Sequence, residues 1–373
     1  MPHPSRTSPT SLVVNRPIDL GEIEAVGFDL DHTLALYDDA AVNALAMAEA
    51  LHLLVEHRGY RARDIALAAP VGDAGTARAL AIDLANAHVV KLDASRRVRV
   101  ARRAGEWLQD DEIGRAHPER VPERDDVVHP LSSAFDVPTL WLFEAVTRGH
   151  AAAEHVAPAL DAVRVCRDVR QMLDLSHTRG ELKSHLARDL ERFVTPVAGA
   201  TERLLEWRRA GKRLFVVTNS DLAFATEVLD LVIGPAWRDI FSVVSTSSGK
   251  PSFFAAADAR AAAPRGDVVR EGATARELEA VLGARGERVL YVGDNARADI
   301  APARSFGWKT VHVVAELSAG DQPAEGWGSP FLAGGEPSWF ARVVGEYADA
   351  VCDRVDRLLA CEPDRLLDAG ESA

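Results

Sequence analysis

The sequence predicts an α/β fold in which a Rossmann-like core with a parallel sheet carries a large α+β cap. Short apolar runs such as Ala25–Phe28 and Arg213–Val217 indicate buried strands, and each is followed at once by polar side chains. Segments with helical periodicity separate these runs, as parallel strands require. Roughly 190 residues lie between Asp31 and Thr218, where the first two strands end, so a domain is inserted there, since one crossover helix needs far fewer.

Composition limits the classes of protein that fit. A chain of 373 residues is long enough for two domains, and its net charge of −13 argues against a nucleic-acid partner. The three cysteines have no metal-binding spacing, which indicates a reducing compartment. No apolar stretch reaches the roughly 18 residues of a membrane span. We therefore expect a cytoplasmic protein with no membrane partner.

Polar side chains follow four of the predicted strands. They are, in chain order, Asp29 and Asp31, then Thr218, Asn219 and Ser220, then Lys250, then Asp294 and Asp299. Ligands of open α/β sheets bind beyond the carboxyl ends of the strands, so these side chains are expected to meet. Two acids one residue apart at such an edge indicate a cation site, a nucleophile with a proton donor, or both.

This order of acids, threonine, lysine and acids resembles the haloacid dehalogenase (HAD) superfamily. The resemblance implies that Asp29 attacks phosphorus, while Asp31 protonates the leaving oxygen and later takes a proton from water. Thr218 and Asn219 would hydrogen-bond phosphate oxygens, and Lys250 would screen the charge between nucleophile and phosphate. An acid at position 31 fits phosphatases and phosphomutases, which must protonate a leaving group.

The same resemblance implies Mg²⁺ as the cofactor, since Mg²⁺ prefers near-octahedral oxygen ligands. The carboxylates of Asp29 and Asp294 and the backbone carbonyl of Asp31 would bind the ion. Asp299 would hold Lys250 or a metal-bound water. The competing interpretations are that Asp29 and Asp31 cap a turn, and that Asp299 is a favourable charge at a helix N-terminus.

The positions of the motifs predict the domain boundaries. Residues 1–15 are expected to form a disordered tail, 16–38 and 190–335 the HAD-type core, 39–189 the cap, and 336–373 a C-terminal helical segment. Elements predicted within these bounds include a helix over Val42–His57, a hairpin over Leu80–Val100 with its turn at Asp93–Ser95, helices over Ala159–Leu175 and Gly180–Phe193, a helix capped by Ser220, and a capping box at Thr274–Glu277.

Further segments narrow the resemblance to the cytosolic purine 5′-nucleotidase family, the HAD-IG group. They span roughly residues 20 to 350 and include Phe28–Tyr37, Arg78–Asp83, Val90–Asp93, Phe135–Pro138, Val217–Asp221 and Gly249–Phe254. The implied substrate is a nucleoside 5′-monophosphate, typically of a 6-hydroxypurine. The implied substrate-binding residues are Phe135, Asp136, Arg170, Asp174, His177, Lys183 and Ser220. Among them Phe135 would stack on the base and Asp136 would read its edge.

The sequence departs from the family pattern around the fourth motif, over Gly293–Asp299, and at two residues of the predicted cap. Asp136 stands where asparagine is usual, and Thr178 stands where a second aromatic residue is common. A carboxylate accepts hydrogen bonds but cannot donate them, and guanine presents two N–H donors on its edge. We therefore expect the preference GMP, then IMP, then AMP.

Three other activities stay open at this point, together with the assembly state. The chain could be a HAD phosphatase for another small phosphate ester, a phosphotransferase with a nucleoside acceptor, or a nucleotide-binding regulator without turnover. A homo-oligomer, either dimer or tetramer, is expected.

Overall fold

The chain divides into two units, each assembled from separate stretches of sequence. The computed structural model describes residues 12–66, 78–124, 126–152, 160–179, 181–255, 263–265, 268–317 and 327–370. The first unit comprises Met1–Tyr37, Val194–Gly320 and Val343–Ala373, and the second comprises Asp38–Phe193 and Asp321–Arg342. The long insertion after the first acidic motif therefore forms most of the second unit, which also takes in Asp321–Arg342, a stretch that the sequence assigns partly to the core and partly to the C-terminal segment.

Twenty strands lie within the described residues. In chain order they are β1 (Leu12–Val14), β2 (Ile18–Asp19), β3 (Ala25–Phe28), β4 (Ala35–Tyr37), β5 (Leu80–Asp83), β6 (His88–Leu92), β7 (Val98–Arg103), β8 (Glu106–Trp107), β9 (Val128–Pro130), β10 (Val194–Pro196), β11 (Arg213–Val217), β12 (Phe241–Thr246), β13 (Ala263–Arg265), β14 (Val269–Glu271), β15 (Val289–Gly293), β16 (Lys309–Val313), β17 (Leu332–Ala333), β18 (Glu336–Pro337), β19 (Ala350–Cys352) and β20 (Leu366–Leu367).

The described helices alternate with these strands in the first unit and cluster in the second. They are α1 (Asp39–Arg58), α2 (Asp110–Ala116), α3 (Val137–Ala152), α4 (Ala162–Arg179), α5 (Leu182–Arg188), α6 (Leu190–Phe193), α7 (Ala200–Arg209), α8 (Leu222–Val232), α9 (Trp237–Ile240), α10 (Ser252–Ala255), α11 (Ala275–Leu282), α12 (Ala301–Phe306), α13 (Trp339–Tyr347) and α14 (Val355–Leu359). None of them combines the length and apolar character that crossing a lipid bilayer requires.

The first unit is built on one sheet with the order β1-β19-β16-β15-β3-β11-β12-β14-β13. All neighbours from β19 to β14 pair in parallel, while the outermost strands β1 and β13 pair antiparallel. β3 is central, with β15 on one side and β11 on the other. The predicted α/β fold with a parallel sheet is confirmed, and the polar residues after β3, β11 and β15 share one edge.

Both ends of the chain contribute to this sheet, contrary to expectation. Leu12–Val14, placed by the sequence in a disordered tail, pairs with Ala350–Cys352. Leu12 and Val14 are buried and Val13 is exposed, which is the alternation of a strand at a sheet edge. The C-terminal segment is likewise no continuous helix, since α13, β19, α14 and β20 follow one another there. The fully buried run Ala350–Cys352 interrupts the helical periodicity.

Aromatic side chains fill the core on one face of the sheet. Phe215 on β11 and Tyr291 on β15 stack 6.5 Å apart, and Trp308 contacts both rings. Gly27 on the strand between them leaves room for this arrangement, because a Cβ there would lie 2.2 Å from the Phe215 ring. The core therefore packs directly beneath the strand that carries Asp29.

The second unit contains a five-stranded sheet in the order β8-β7-β6-β5-β9 and a helical layer in which α1, α3 and α4 pack together. The sequence predicts one hairpin over Leu80–Val100, whereas the structure has two, with turns at 84–87 and 93–97. The side chain of Lys91 connects residues 327–329 to the sheet of the second unit. Its buried ammonium donates to the carbonyls of Trp327, Gly328 and Ser329, the last at 2.7 Å.

Of the two predicted helix caps, one is confirmed and the other is wrong by one residue. α1 ends at Gly59 in the left-handed conformation, and Thr274 and Glu277 form the predicted capping box. The predicted N-cap Ser220 is wrong by one residue, because Asp221 caps α8 by accepting from the Phe224 backbone N–H. The Ser220 hydroxyl instead donates to the Asp31 carboxylate.

Candidate active site

Two carboxylates project from neighbouring strand ends. Asp29 directly follows β3 and Asp294 directly follows β15, and Phe28 and Val292 lie opposite each other in the parallel ladder. The Asp29 backbone N–H donates to the Val292 carbonyl at 2.8 Å, which continues the ladder to the nucleophile position. Asp29, Asp294 and Asp299 are buried, with one oxygen of each within 4.8 Å of the others. The predicted meeting of these acids therefore occurs.

Lys250 is the cation of this cluster. Its Nζ lies 2.8 Å from Asp29 Oδ1 and 2.7 Å from Asp299 Oδ1. Asn219 fixes the lysine backbone, because its Oδ1 accepts from the Lys250 N–H at 2.7 Å and its Nδ2 donates to the Lys250 carbonyl. Burial alone lowers the pKa of Lys250, but the carboxylates of Asp29 and Asp299 outweigh it and raise that pKa well above its ordinary value. The lysine is therefore charged.

Asp299 is anchored on both of its oxygens. Oδ1 accepts from Lys250 and from the Tyr291 hydroxyl at 3.2 Å, and Oδ2 accepts from the Asn295 backbone N–H at 3.1 Å. A single π-helical turn over Ala296–Ile300 brings Asp299 back toward the strand end. Such turns occur often at functional sites. The contact with Lys250 agrees with the predicted holding role of Asp299.

Asp31 has separate hydrogen-bond partners. The Tyr37 hydroxyl donates to its Oδ1 at 2.6 Å, and the Ser220 hydroxyl donates to its Oδ2 at 3.1 Å. The turn between the two acids passes through His32 at φ 57°, a conformation uncommon for a residue with a side chain. This turn orients Asp31 independently of Asp29. Ser220, predicted to bind substrate, here contacts the carboxylate predicted to be the acid.

Thr218 and Asn219 lie at the end of β11, as predicted. Thr218 is fully buried, and its Oγ1 accepts from the Ser220 backbone N–H at 3.0 Å. Asn219 spans to the Lys250 backbone as described above. Both side chains therefore support the loops that carry Ser220 and Lys250, and their binding to phosphate oxygens stays a prediction.

The charges of this site favour a divalent cation. The Lys250 ammonium contacts the carboxylates of Asp29 and Asp299, and the carboxylates of Asp31 and Asp294 add negative charge that acts on Asp29. Burial raises the pKa of Asp29 well above its ordinary value, and the neighbouring acids raise it further while Lys250 opposes them. A bound cation would favour the ionised form of Asp29. Only oxygen ligands are offered by the acids, and this donor set fits Mg²⁺.

The implied base-binding residues lie in the second unit. Arg170, Asp174 and His177 share one face of α4, because they are spaced by four and three residues. The Phe135 and His177 rings contact edge to face, with centroids 5.9 Å apart. Lys183 lies in the first turn of α5. The structure thus gathers Phe135 with the α4 face, and a stacking role for Phe135 stays a prediction.

Asp136 has a structural task that the sequence interpretation overlooked. Its Oδ2 accepts from the backbone N–H groups of Ser132 and Ser133, at 2.7 and 2.9 Å, and from the Ser133 hydroxyl. These bonds cap the short helix Ala134–Asp136. Only Oδ1 of Asp136 is left for a purine edge. This arrangement therefore conflicts with a contact in which both oxygens of Asp136 accept from guanine.

Three site residues escaped the sequence analysis. Tyr291 bridges Lys250 and Asp299, Tyr37 bonds to Asp31, and His312 on β16 contacts the Asp294 carbonyl through Nε2 at 2.9 Å. Each is a polar aromatic side chain within a strand, and that placement is the signal that the sequence offers.

Comparison with known proteins agrees with this site. The model of the 5′ nucleotidase family matches residues 12–322. Among curated relatives, 5′-nucleotidase domain-containing protein 2 of Rattus norvegicus is 26% identical over 351 residues, covering 84% of this chain and 60% of the relative. The Homo sapiens protein of the same name is 26% identical over 348 residues, covering 84% and 64%. The chain thus spans somewhat less than two thirds of the length of these relatives.

Solved structures also align with this chain. A haloacid dehalogenase-like hydrolase of Streptococcus pneumoniae aligns with a TM-score of 0.36 and 14% identity, covering 91% of this chain and 98% of its own. The HAD-hydrolase YfnB of Bacillus subtilis, bound to magnesium, aligns with a TM-score of 0.29 and 16% identity, covering 79% and 89%. These superpositions are too partial to support an inference about activity. The family model spans the residues that build the site, and the chain belongs to the 5′ nucleotidase family.

Proposed function

We propose that this chain is a 5′-nucleotidase that hydrolyses nucleoside 5′-monophosphates, with Mg²⁺ as cofactor, through a phosphoryl group carried on Asp29. The observation that carries the proposal is the division of labour between two acids one residue apart. Asp29 lies 2.8 Å from the charged Lys250, whereas Asp31 accepts from the hydroxyls of Tyr37 and Ser220. One acid is thus held beside positive charge as a nucleophile, and the other is held apart for proton transfer.

In the first half of the reaction, Asp29 forms a bond to phosphorus while the bond from phosphorus to the 5′-oxygen breaks. The leaving oxygen takes a proton from Asp31, and the nucleoside departs neutral. Lys250 offsets charge on Asp29 and on the phosphoryl oxygens, and Asp299 keeps its ammonium in place. Phosphoryl transfer depends mainly on such positioning and electrostatic stabilisation.

In the second half, water attacks the phosphorus of the aspartyl-phosphate and the bond from Asp29 to phosphorus breaks. Asp31, now ionised, takes the proton of that water, so both acids return to their starting states. Mg²⁺ would be held by Asp29, Asp294 and the Asp31 carbonyl, and would supply positive charge that offsets the excess of carboxylates. Asp294 is positioned for this task by the contact of its carbonyl with His312.

The proposal for the base rests on the family resemblance. A purine, with GMP or IMP favoured, would stack on Phe135, and the edge contact would involve Asp136 Oδ1 alone. Buried thiols at Cys166 and Cys352 agree with the proposed cytoplasmic location. A dimer or tetramer also remains a prediction, as do the alternative acceptor and ester substrates.

The test is a panel of nucleoside monophosphates and sugar phosphates with Mg²⁺, in which released phosphate is measured. We expect a nucleoside monophosphate to give the highest kcat/KM and Asp29→Asn to abolish release. Addition of inosine separates the two transfer activities, since phosphate appearing on inosine at the expense of free phosphate identifies a phosphotransferase. A sugar phosphate that is preferred over every nucleotide would contradict the proposed substrate class.

A further inference from the structure

Three metal-ligating side chains meet in the second unit, far along the chain from the acidic motifs. Asp83 ends β5, His88 begins β6, and His117 directly follows α2. One ligand atom of each lies within 4.8 Å of the other two. The proposed phosphatase chemistry uses none of these residues.

Distances within this cluster approach those of a coordination sphere. His88 Nδ1 lies 3.0 Å from His117 Nε2, whereas the other ring nitrogen of His117, Nδ1, lies 3.6 Å from Asp83 Oδ2. One nitrogen of His117 would bind the ion, and one ligand atom of each of the three residues lies within 4.8 Å of the others. Two nitrogens bound to one tetrahedral zinc at about 2.0–2.1 Å are separated by roughly 3.4 Å. Little movement would therefore let both rings bind a single ion.

The surroundings hold the three side chains in place and exclude solvent. Asp83 and His88 are 3% and 4% exposed, and the His117 side chain is 4% exposed. The Asp83 carboxylate is oriented by the Ala85 backbone N–H at 2.9 Å and by the Asn86 side chain at 2.7 Å. Such outer hydrogen bonds are a usual feature of carboxylates in metal sites.

The donor set distinguishes this cluster from the acidic site. Two imidazoles and one carboxylate suit a borderline cation such as Zn²⁺, whereas Mg²⁺ prefers oxygen ligands alone.

We propose that Asp83, His88 and His117 form a binding site for a Zn²⁺-class divalent cation, which ties the β5–β6 hairpin to the end of α2. Three protein ligands leave one position for water. Binding of the ion replaces the hydrogen bond between His88 Nδ1 and His117 Nε2. The proton of that hydrogen bond moves to the other nitrogen of the same ring, which does not bind the ion. This site is independent of the proposed nucleotidase activity.

The experiment titrates the full chain with Zn²⁺ after treatment with a chelator, in excess Mg²⁺ so that the oxygen-ligand site is filled. Bound zinc per chain is counted by mass spectrometry after gel filtration. We expect one zinc per chain, and an affinity at least about tenfold weaker in His88→Asn and His117→Asn. Exposed His52, in the same unit, provides the matched control His52→Asn, which should bind as the wild type does.

Two further measurements test the site without relying on the histidine variants. Co²⁺ bound to the wild type should give the intense visible bands of a four-coordinate site, so the conclusion does not depend on the folding of any variant. Asp294→Asn should retain the zinc, because that residue lies in the acidic site. Zinc binding that is equal in wild type and His117→Asn, or lost in Asp294→Asn, would overturn the proposal, as would failure of the wild type to bind zinc in excess Mg²⁺. In those cases the three residues serve only as a buried hydrogen-bonded chain.

Discussion

Gly293, the last residue of β15, should be essential because its missing side chain makes room for Asp299. A Cβ at position 293 would lie 2.7 Å from Asp299 Cβ and Cγ and 2.9 Å from its Oδ2. Asp299 cannot yield easily, since Lys250 and the Asn295 backbone N–H hold its two oxygens. The substitution Gly293→Ala therefore forces the carboxylate, and with it Lys250, away from the present geometry.

The size of the effect follows from the overlap. Carbon atoms in contact are about 3.5–4.0 Å apart, so Asp299 must move by roughly 1 Å. A displacement of that size at a reacting site costs about a hundredfold in rate. Overpacking a buried site also lowers the free energy of unfolding by about 1–3 kcal/mol. We therefore expect a folded protein whose kcat falls by about two orders of magnitude.

The assay combines phosphate release at saturating Mg²⁺ with urea unfolding. Gly345→Ala is the matched control, because Gly345 is exposed on α13 and an added Cβ meets nothing within 4 Å. That control should keep its activity and gain a little stability from better helix propensity. If Gly293→Ala keeps kcat within about threefold of the wild type, the link from Gly293 through Asp299 to Lys250 is refuted.

Three further predictions concern the metal, the base and the second unit. Asp294→Asn should raise the Mg²⁺ concentration needed for half-maximal activity more than Asp299→Asn does, because only Asp294 is placed as a ligand; equal shifts in an Mg²⁺ titration would contradict this. Asp136→Asn should change the ratio of kcat/KM for GMP over IMP by less than about threefold, because Oδ2 is occupied by capping bonds and the single oxygen Oδ1 would accept from the imino N–H that both bases carry; a large change in this ratio, measured by steady-state kinetics, would contradict that one-oxygen contact. Burial lowers the pKa of Lys91 from 10.5 to about 8. Between these pH values Lys91 is protonated in the unfolded chain and neutral in the folded one, so its contribution to the free energy of unfolding rises with pH. Unfolding curves from pH 7.5 to 10.5 should therefore show a shallower rise for Lys91→Met than for the wild type, and identical slopes would refute the assignment.

The edge of the sheet that carries the candidate site could be predicted from sequence because its signals are local. Asp29, Thr218 and Asp294 each follow an apolar run directly, and parallel strands bring such ends to one edge whatever the rest of the chain does. The contacts of Tyr291 with Lys250 and Asp299 could not be predicted in this way. They depend on the register of β15 beside β3 and on the π-helical turn after it, and neither leaves a local pattern.

One contact was overlooked and one element was predicted wrongly where different physical demands produce similar patterns. Ser133 and Asp136 have the spacing of a capping box, and capping rather than base recognition accounts for the bonds to Asp136 Oδ2. The run Ala350–Cys352 is too short for its periodicity to separate strand from helix, and only pairing with Leu12–Val14 and β16 establishes it as a strand.

The central claim is that phosphate is transferred to Asp29 before it reaches water. The most direct measurement is rapid acid quenching of the enzyme during turnover of a nucleoside monophosphate labelled on its phosphate, followed by peptide mapping. We expect an acid-stable, hydroxylamine-sensitive label on the peptide that contains Asp29, and none in Asp29→Asn, which should nevertheless remain folded. Burst kinetics with label on another residue, or turnover by Asp29→Asn above a small percentage of the wild-type rate, would contradict the claim.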